Sequence, residues 1–352
     1  MDARNCLKDQ RLRFASTHTA TADNVIGRIT RGKEMIDIWT EKYRPRKLSD
    51  IVGQDEIIRK LQSFVRHREL PHLIFAGPAG VGKTTAALSV AIELFGEDWR
   101  DNFLELNASN ERGIDVIRDN VKDFARIMPS NGLGFKIIFL DEADQLTPEA
   151  QAALRRTMEL YSSATRFIFS CNYSSQIIPP IQSRTVVMRF RPIRPEDMKK
   201  RIEVIAKQEN FTIDDDAMAA ITEISEGDMR KALNILQTIK SSGEMTASRI
   251  YEISGMANPK QYKSLLSKAL SGLFDDARET LDSMMIEQGL SGIDIVRGIH
   301  SVVRKELISP RQKLQIIMAL GESEFRIVEG SSDTIQLDAL MARLAYIGQE
   351  FN

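Results

Sequence analysis

The chain has 352 residues, with 48 Lys plus Arg against 49 Asp plus Glu and a formal net charge of −1. At roughly 100–200 residues per domain, two or three domains are expected. A 42% hydrophobic and 28% charged content excludes a disordered chain. The balance of charge excludes a uniformly basic coat for DNA, but not a local basic surface. Only Cys6 and Cys171 are present, too few for a disulfide framework or a cysteine zinc site, which points to a reducing, intracellular compartment. No apolar run approaches the roughly 18 residues of a membrane span. Met1 to Ala15 lacks the apolar stretch of a secretory signal.

Residues 1–34 hold seven Lys/Arg and four Asp/Glu and show neither a helical nor a strand period. They read as a flexible tail. Translation starting at Met35 and a basic arm touching nucleic acid are the alternatives. From Leu73 onward, short apolar runs alternate with helical stretches. The runs are Leu73–Phe75, Phe103–Leu106, Ile137–Leu140, Phe167–Phe169 and Val186–Met188. Nearly continuous apolar runs suit strands buried on both faces of a parallel sheet. Their alternation with helices predicts a doubly wound α/β domain over residues 35–192. After Pro192 the strand signal stops. Met198, Ile202 and Ile205, then Met229, Leu233 and Leu236, each mark one helical face, with Gly243 as a helix end. These make a small helical domain, 193–257. A break at Asn258-Pro259 opens an all-α third domain, 258–352. There Leu266, Leu270 and Leu273, then Leu281 and Met285, then Ile295, Ile299 and Val302 mark amphipathic faces.

Two segments carry chemistry. Gly77-Pro78-Ala79-Gly80-Val81-Gly82-Lys83-Thr84 fits the pattern G-x-x-x-x-G-K-[ST], between a predicted strand and the helical run Thr85–Leu94. Glycines let backbone N–H groups curl round phosphates, and a helix N-terminus favours negative charge. Lys83 is placed to reach the β/γ-phosphates, and the Thr84 hydroxyl to ligate Mg²⁺. Downstream, Lys136 to Leu140 runs into Asp141 and Glu142, the Walker B pattern. Asp141 can hold Mg²⁺. Glu142 can orient and polarise the attacking water, because adjacent strand side chains point apart. Together the two segments predict ATP hydrolysis, with Gly77 to Thr85 as the nucleotide-binding set.

The sequence from about Ile38 to Gly348 resembles the AAA+ clamp loaders, in particular the small subunits of archaeal and eukaryotic replication factor C. The most specific pieces are Trp39-Thr40-Glu41-Lys42-Tyr43-Arg44-Pro45, Asn107-Ala108-Ser109-Asn110-Glu111-Arg112-Gly113, Ala153 to Glu159, Ser170-Cys171-Asn172-Tyr173, Ser183-Arg184-Thr185 and Gly227-Asp228-Met229-Arg230. Gly289 to Gly292 and Phe325 to Gly330 resemble the third domain, the collar that joins subunits. The resemblance implies that Tyr43, Arg44 and Val52 lie against adenine. It makes Asn172 the sensor-1 amide near the γ-phosphate, and Arg230 the sensor-2 arginine of a helical lid domain. Arg184 takes the arginine of the family's Ser-Arg-Cys motif, which completes the ATP site of a neighbouring subunit. Here Thr185 replaces the cysteine. On the residues alone, Arg184 also reads as a strand-edge arginine paired with a carboxylate. Arg112 and Arg118 are implied to track DNA phosphates at a helix start, while Gln176 stands where the family often has Lys. Arg155 and Arg156 look like a coupling element between subunits, and the segment around Asp123–Phe135 is implied to face the clamp.

The resemblance thus implies ATP and Mg²⁺ as cofactors. Its implied partners are a large subunit and further small subunits in a hetero-pentamer, a sliding clamp of the PCNA type, and primer–template DNA, with no membrane. The implied setting is cytoplasm and nucleoid in an archaeal host, or the nucleus in a eukaryotic one. Two rival readings remain. A branch-migration helicase motor calls for a winged-helix third domain with strands, against the helical spacing of 260–350. A non-enzymatic scaffold is expected to lose Lys83, Thr84, Asp141 or Glu142, and all four are present. A bacterial-type loader usually has a cysteine zinc module, for which this chain lacks the thiols.

Overall fold

A computed structural model describes residues 38–109, 114–127, 129 and 132–351. The expectations for residues 1–34 and for Arg112 therefore lie outside the described residues. Trp39–Lys42 form one helical turn, in which the Glu41 and Lys42 N–H groups donate to the Ile38 carbonyl.

From Tyr43 onward the chain first builds helix α1 (Asp55–His67) and then a five-stranded sheet. Its strands are β1 (Leu73–Ala76), β2 (Phe103–Asn107), β3 (Lys136–Asp141), β4 (Thr165–Cys171) and β5 (Val186–Arg189), in the order β2-β3-β4-β1-β5. Every pairing is parallel. The five strands are the five predicted apolar runs, each extended by one to four residues. Helix α2 (Lys83–Phe95) follows β1, α3 (Ile114–Arg126) follows β2, and α4 (Pro148–Leu160) follows β3.

The runs of β1, β3 and β4 lack polar alternation because both faces of the sheet are covered there, whereas the edge strands β2 and β5 leave Glu105 and Val186 exposed. Leu73, Phe75, Ile137 and Phe139 pack on one side with Ala86, Ala87, Val90 and Ala91 of α2. Their alternates Ile74, Ala76, Ile138 and Leu140 pack on the other side with Ala150, Leu154 and Met158 of α4. Each fully buried Leu, Ile or Phe contributes about 1.5–3 kcal/mol relative to exposure. The register aligns Ala76 with Cys171 and Arg189, and Asn107 with Asp141, so the strand C-termini share one rim. In open parallel sheets that rim is where ligands bind.

After β5 the described residues are helical. Helix α5 (Pro195–Gln208) buries Met198, Ile202 and Ile205 completely, the predicted face. Helix α6 (Asp215–Ser225) is capped by Asp214, and α7 (Met229–Ser242) by Asp228. Gly243 ends α7 with φ 78°, and α8 (Ala247–Ile253) follows. The break at Asn258-Pro259 is a helix start: Asn258 and Gln261 form a reciprocal capping box, and Pro259 sits at the first helical position. Helices α9 (Pro259–Leu270), α10 (Phe274–Ile286), α11 (Gly292–Lys305), α12 (Pro310–Val328) and α13 (Asp333–Phe351) share a separate core around Leu266, Ile295, Ile299, Leu320 and Leu344. Leu273 departs from the sequence reading. It is 52% exposed, because α9 has ended and Leu273 is the N-cap of α10. In α10 the fully buried partner of Leu281 is Met284, with Met285 only partly buried.

Candidate nucleotide site

The phosphate-loop sequence spans the gap between β1 and α2 at the C-terminal rim. The Gly77 N–H donates to the Cys171 carbonyl at 3.1 Å, so the loop leaves in register with β4. Gly80 has φ +66° and Gly82 φ +99°, a conformation that side chains with a Cβ resist. At Gly80 space forbids one as well, since a Cβ there would fall 1.6 Å from Asp228 Oδ1. The loop backbone is further pinned by Gln54, which is buried and bridges two segments. Its amide nitrogen donates to the carbonyls of Val81 (3.4 Å) and Arg191 (2.7 Å), and its oxygen accepts from the Arg191 N–H (3.3 Å).

Lys83 opens α2. Its Nζ donates to the carbonyls of Gly77 (2.5 Å) and Pro78 (2.7 Å) and lies 3.5 Å from Asn172 Oδ1. Burial pulls its pKa below the ordinary lysine range, with Asp141 opposing the shift and Arg230 adding to it. The next residue, Thr84, donates its hydroxyl to Asp141 Oδ2 at 2.9 Å. The Glu142 N–H caps the other Asp141 oxygen at 3.0 Å. Glu142 itself takes φ +52°, uncommon for a residue with a Cβ, and is exposed. The two acids thus take separate surroundings, Asp141 against Thr84 and Glu142 toward solvent.

Asn172 follows β4, and its N–H donates to Asp144 Oδ2 at 2.9 Å. Asp144 and Gln54 are positioning residues to which the sequence reading gave no role. Asp144 stands in the acidic run and Gln54 just after Val52-Gly53, but neither announces its distant partner. Burial, reinforced by Asp144, pushes the Cys171 thiol up to about 12, so it is an inert core group.

The lid reaches the same loop. The Met229 N–H donates to the Gly80 carbonyl at 3.1 Å, and Asp228 caps α7 through the Lys231 N–H. Arg230, second in α7, is exposed and near enough to Lys83 to depress its basicity. Tyr43 is half-buried. Its carbonyl accepts from Arg201 Nη2 at 2.8 Å, and its hydroxyl donates to the Glu209 carboxylate, which Lys240 also meets. Arg44 and Val52 are half-buried too. The methyl of Ile51, beside Val52, lies 3.6 Å from a Cβ built at Gly82.

One residue of the sequence-derived set, Arg184, stands apart from the loop. Arg184 precedes β5, at the N-terminal end of the strands. With Val186 opposite Leu73, strand rise puts about 10 Å of sheet between Arg184 and the loop. Its Nη2 pairs with Glu159 Oε1 at 2.8 Å, so the carboxylate-paired reading describes its contacts within this chain. Arg118 lies on α3, the helix that follows β2.

A parallel sheet with a phosphate loop, two acids on the neighbouring rim and a helical lid docked on the loop defines a P-loop ATPase of the AAA+ class. Residues 73–193 match the family described as ATPase family associated with various cellular activities (AAA). Residues 195–249 match the RFC1-like AAA+ ATPase lid domain, and 257–343 the replication factor C C-terminal domain. The replication factor C small subunit of Thermoplasma volcanium is 65% identical over 90% of this chain and 100% of its own length. That of Archaeoglobus fulgidus is 51% identical over 90% of this chain and 100% of its own. Among solved structures, the Thermotoga maritima RuvB Holliday junction branch migration motor matches 70% of this chain and 91% of its own, with TM-score 0.50 and 18% identity, a likeness of fold. The chain belongs to the replication factor C small subunits, the AAA+ ATPases that load clamps in DNA replication. No described helix is long and apolar enough to cross a membrane.

Proposed function

We propose that this chain is an ATP-driven subunit that opens a sliding clamp of the PCNA type and loads it onto primer–template DNA. The observation that carries the reading is the convergence of Lys83, Thr84, Asp141 and Asn172 on one rim, with the lid hydrogen-bonded to the loop. The matches to replication factor C small subunits along 90% of the chain support the clamp as the object of that ATPase. Residues 35–192 serve as the nucleotide domain, 193–257 as the lid and 258–352 as the collar. An exposed stripe of Leu314, Met318, Phe325 and Val328 on α12 supports the collar role, since such patches mark interfaces. The partners in this reading are a large subunit and further small subunits. Its site of action is the replicating DNA, in the nucleoid of an archaeal host or the nucleus of a eukaryotic one.

The residues fit ATP with magnesium. Positive φ at Gly80 and Gly82 gives the loop a backbone that can turn its N–H groups round phosphates, and the Thr84 hydroxyl and Asp141 carboxylate form a hard oxygen pair 2.9 Å apart. Thr84 and Asp141 would hold the ion, which would neutralise phosphate charge when bound. Loop N–H groups and Lys83 bind the phosphates, while Tyr43, Arg44 and Val52 border the base. Glu142 polarises the attacking water, with Asn172 and Arg230 orienting the γ-phosphate. Arg184 lies too far down the sheet to serve its own loop, which supports its action on a neighbour's ATP. A guanidinium suits the spread charge of phosphoryl transfer. Arg112 and Arg118 supply phosphate contacts to DNA, with little sequence specificity.

Among the described residues no strand follows Arg189, which fits the loader and not a winged-helix motor. The test is ATP turnover of the chain assembled with large subunit, clamp and primed DNA, as wild type and as Arg184→Ala. Stimulation by clamp and DNA is expected, together with loss of turnover in the variant. A turnover indifferent to both ligands overturns the reading.

A further inference from the structure

The surroundings of Arg184 combine the two readings that its sequence left open. It follows the helical turn Pro179–Gln182. Its Nη1 donates to the Pro180 carbonyl at 2.8 Å and to Ser183 Oγ at 3.3 Å. Its Nη2 meets Glu159 Oε1 at 2.8 Å. The same oxygen accepts from Arg155 Nε at 3.0 Å, one turn earlier on α4. Two elements thus grip one guanidinium, yet the Arg184 side chain remains 42% exposed. Of its five N–H groups, the Nε–H and one Nη2–H take no partner among the described residues. The group is held in place with a donor edge turned outward.

We infer that Glu159 is a positioning residue for the ATPase reaction: it fixes the Arg184 guanidinium so that its remaining donors meet the neighbouring subunit's ATP. This rests on the trans role proposed for Arg184. An arginine left loose must give up its rotamer freedom each time it docks on a phosphate. An arginine already gripped by Glu159 has lost most of that freedom before it docks. Arg155 contributes indirectly, by orienting the carboxylate. The hydrogen bond from Arg155, with help from Arg184, holds the Glu159 carboxyl below the usual carboxylate range, so the grip persists at neutral pH. As an exposed ion pair the contact adds little to folding stability. Its effect belongs in turnover.

Steady-state ATP hydrolysis is measured in the full assembly with clamp and primed DNA, for wild type, Glu159→Ala, Glu159→Gln, Arg184→Ala and Glu159→Ala/Arg184→Ala. Glu159→Ala is expected to lower kcat about tenfold with KM for ATP nearly unchanged, the cost of a misplaced catalytic group. Glu159→Gln, which keeps an oxygen acceptor without the charge, falls between. The double variant is no slower than Arg184→Ala, because Glu159 acts only through Arg184. Melting temperatures of all variants stay close to wild type. If Arg184→Ala is slow while Glu159→Ala runs at full rate, or if the two losses multiply, the positioning role is overturned and the trans role stands. If Arg184→Ala itself runs at full rate, the trans role falls and this inference with it.

Discussion

Replacing Gly80 by alanine puts a Cβ 1.6 Å from Asp228 Oδ1 and 2.1 Å from its Cγ. The side chain that must move is the N-cap of the lid helix, where Asp228 Oδ1 accepts the Lys231 N–H at 3.0 Å. Two costs follow. Alanine at φ +66° costs about 1 kcal/mol in the left-handed region. Displacing the cap costs about 1 kcal/mol more, and it disturbs the neighbouring Met229-to-Gly80 hydrogen bond. The sum, about 2 kcal/mol, is the expected loss of unfolding free energy. Urea unfolding of the variant beside wild type reads this directly. Asp228→Ala supplies the control, since it removes the cap and the obstacle together and costs about 1 kcal/mol alone. In Gly80→Ala/Asp228→Ala only the backbone strain is added, so the pair costs about 2 kcal/mol, not the 3 of simple addition. Full additivity would refute the steric coupling of loop and lid.

Glu142→Gln is expected to bind ATP normally and to lower turnover at least about a hundredfold, as loss of a general base does, measured by nucleotide binding beside hydrolysis. Thr84→Val removes the hydroxyl that faces Asp141 at nearly constant volume, so ATP affinity measured with and without Mg²⁺ should lose most of its metal dependence. His72 Nδ1 accepts the Phe167 N–H at 3.0 Å, and burial, then Arg166, pulls its pKa from 6.5 to about 4. The unfolded chain therefore binds the proton first. This contribution is complete above about pH 6.5 and is lost as pH falls toward about 4, by at most ~3 kcal/mol. Urea midpoints against pH should show that slope in wild type and lack it in His72→Gln. Phe139→Ala, fully buried between β3 and α2, should lower stability by about 3–5 kcal/mol in the same titration.

The elements that were legible from the sequence are those with a periodic cause. All five strands were, and for β1, β3 and β4 the cause is a sheet covered on both faces, which needs continuous apolar runs such as Ile137 to Leu140. So was the Met198, Ile202, Ile205 face of α5, where three apolar residues recur at helical spacing. The loop and the two acids were legible because phosphate chemistry dictates their residue types. What escaped was side-chain traffic between distant segments. Gln54 ties the loop to Arg191, Asp144 holds the Asn172 backbone, and Asp228 fills the space that glycine leaves at position 80. No period predicts such pairings. Leu273 misled for the opposite reason, since its spacing continued a helical face after the helix had ended at Leu270. The carboxylate facing Arg184 was anticipated in kind, but not as Glu159, which lies on another element.

Delivery of the clamp tests the central claim most directly. A labelled clamp is incubated with the assembled loader, ATP and singly primed circular DNA, and the clamp that co-elutes with the DNA is measured. With the wild-type chain, ATP should transfer the clamp to the circle and free the loader, whereas Glu142→Gln should leave loader, clamp and DNA together. A clamp that stays unbound while the wild-type assembly hydrolyses ATP would contradict the account.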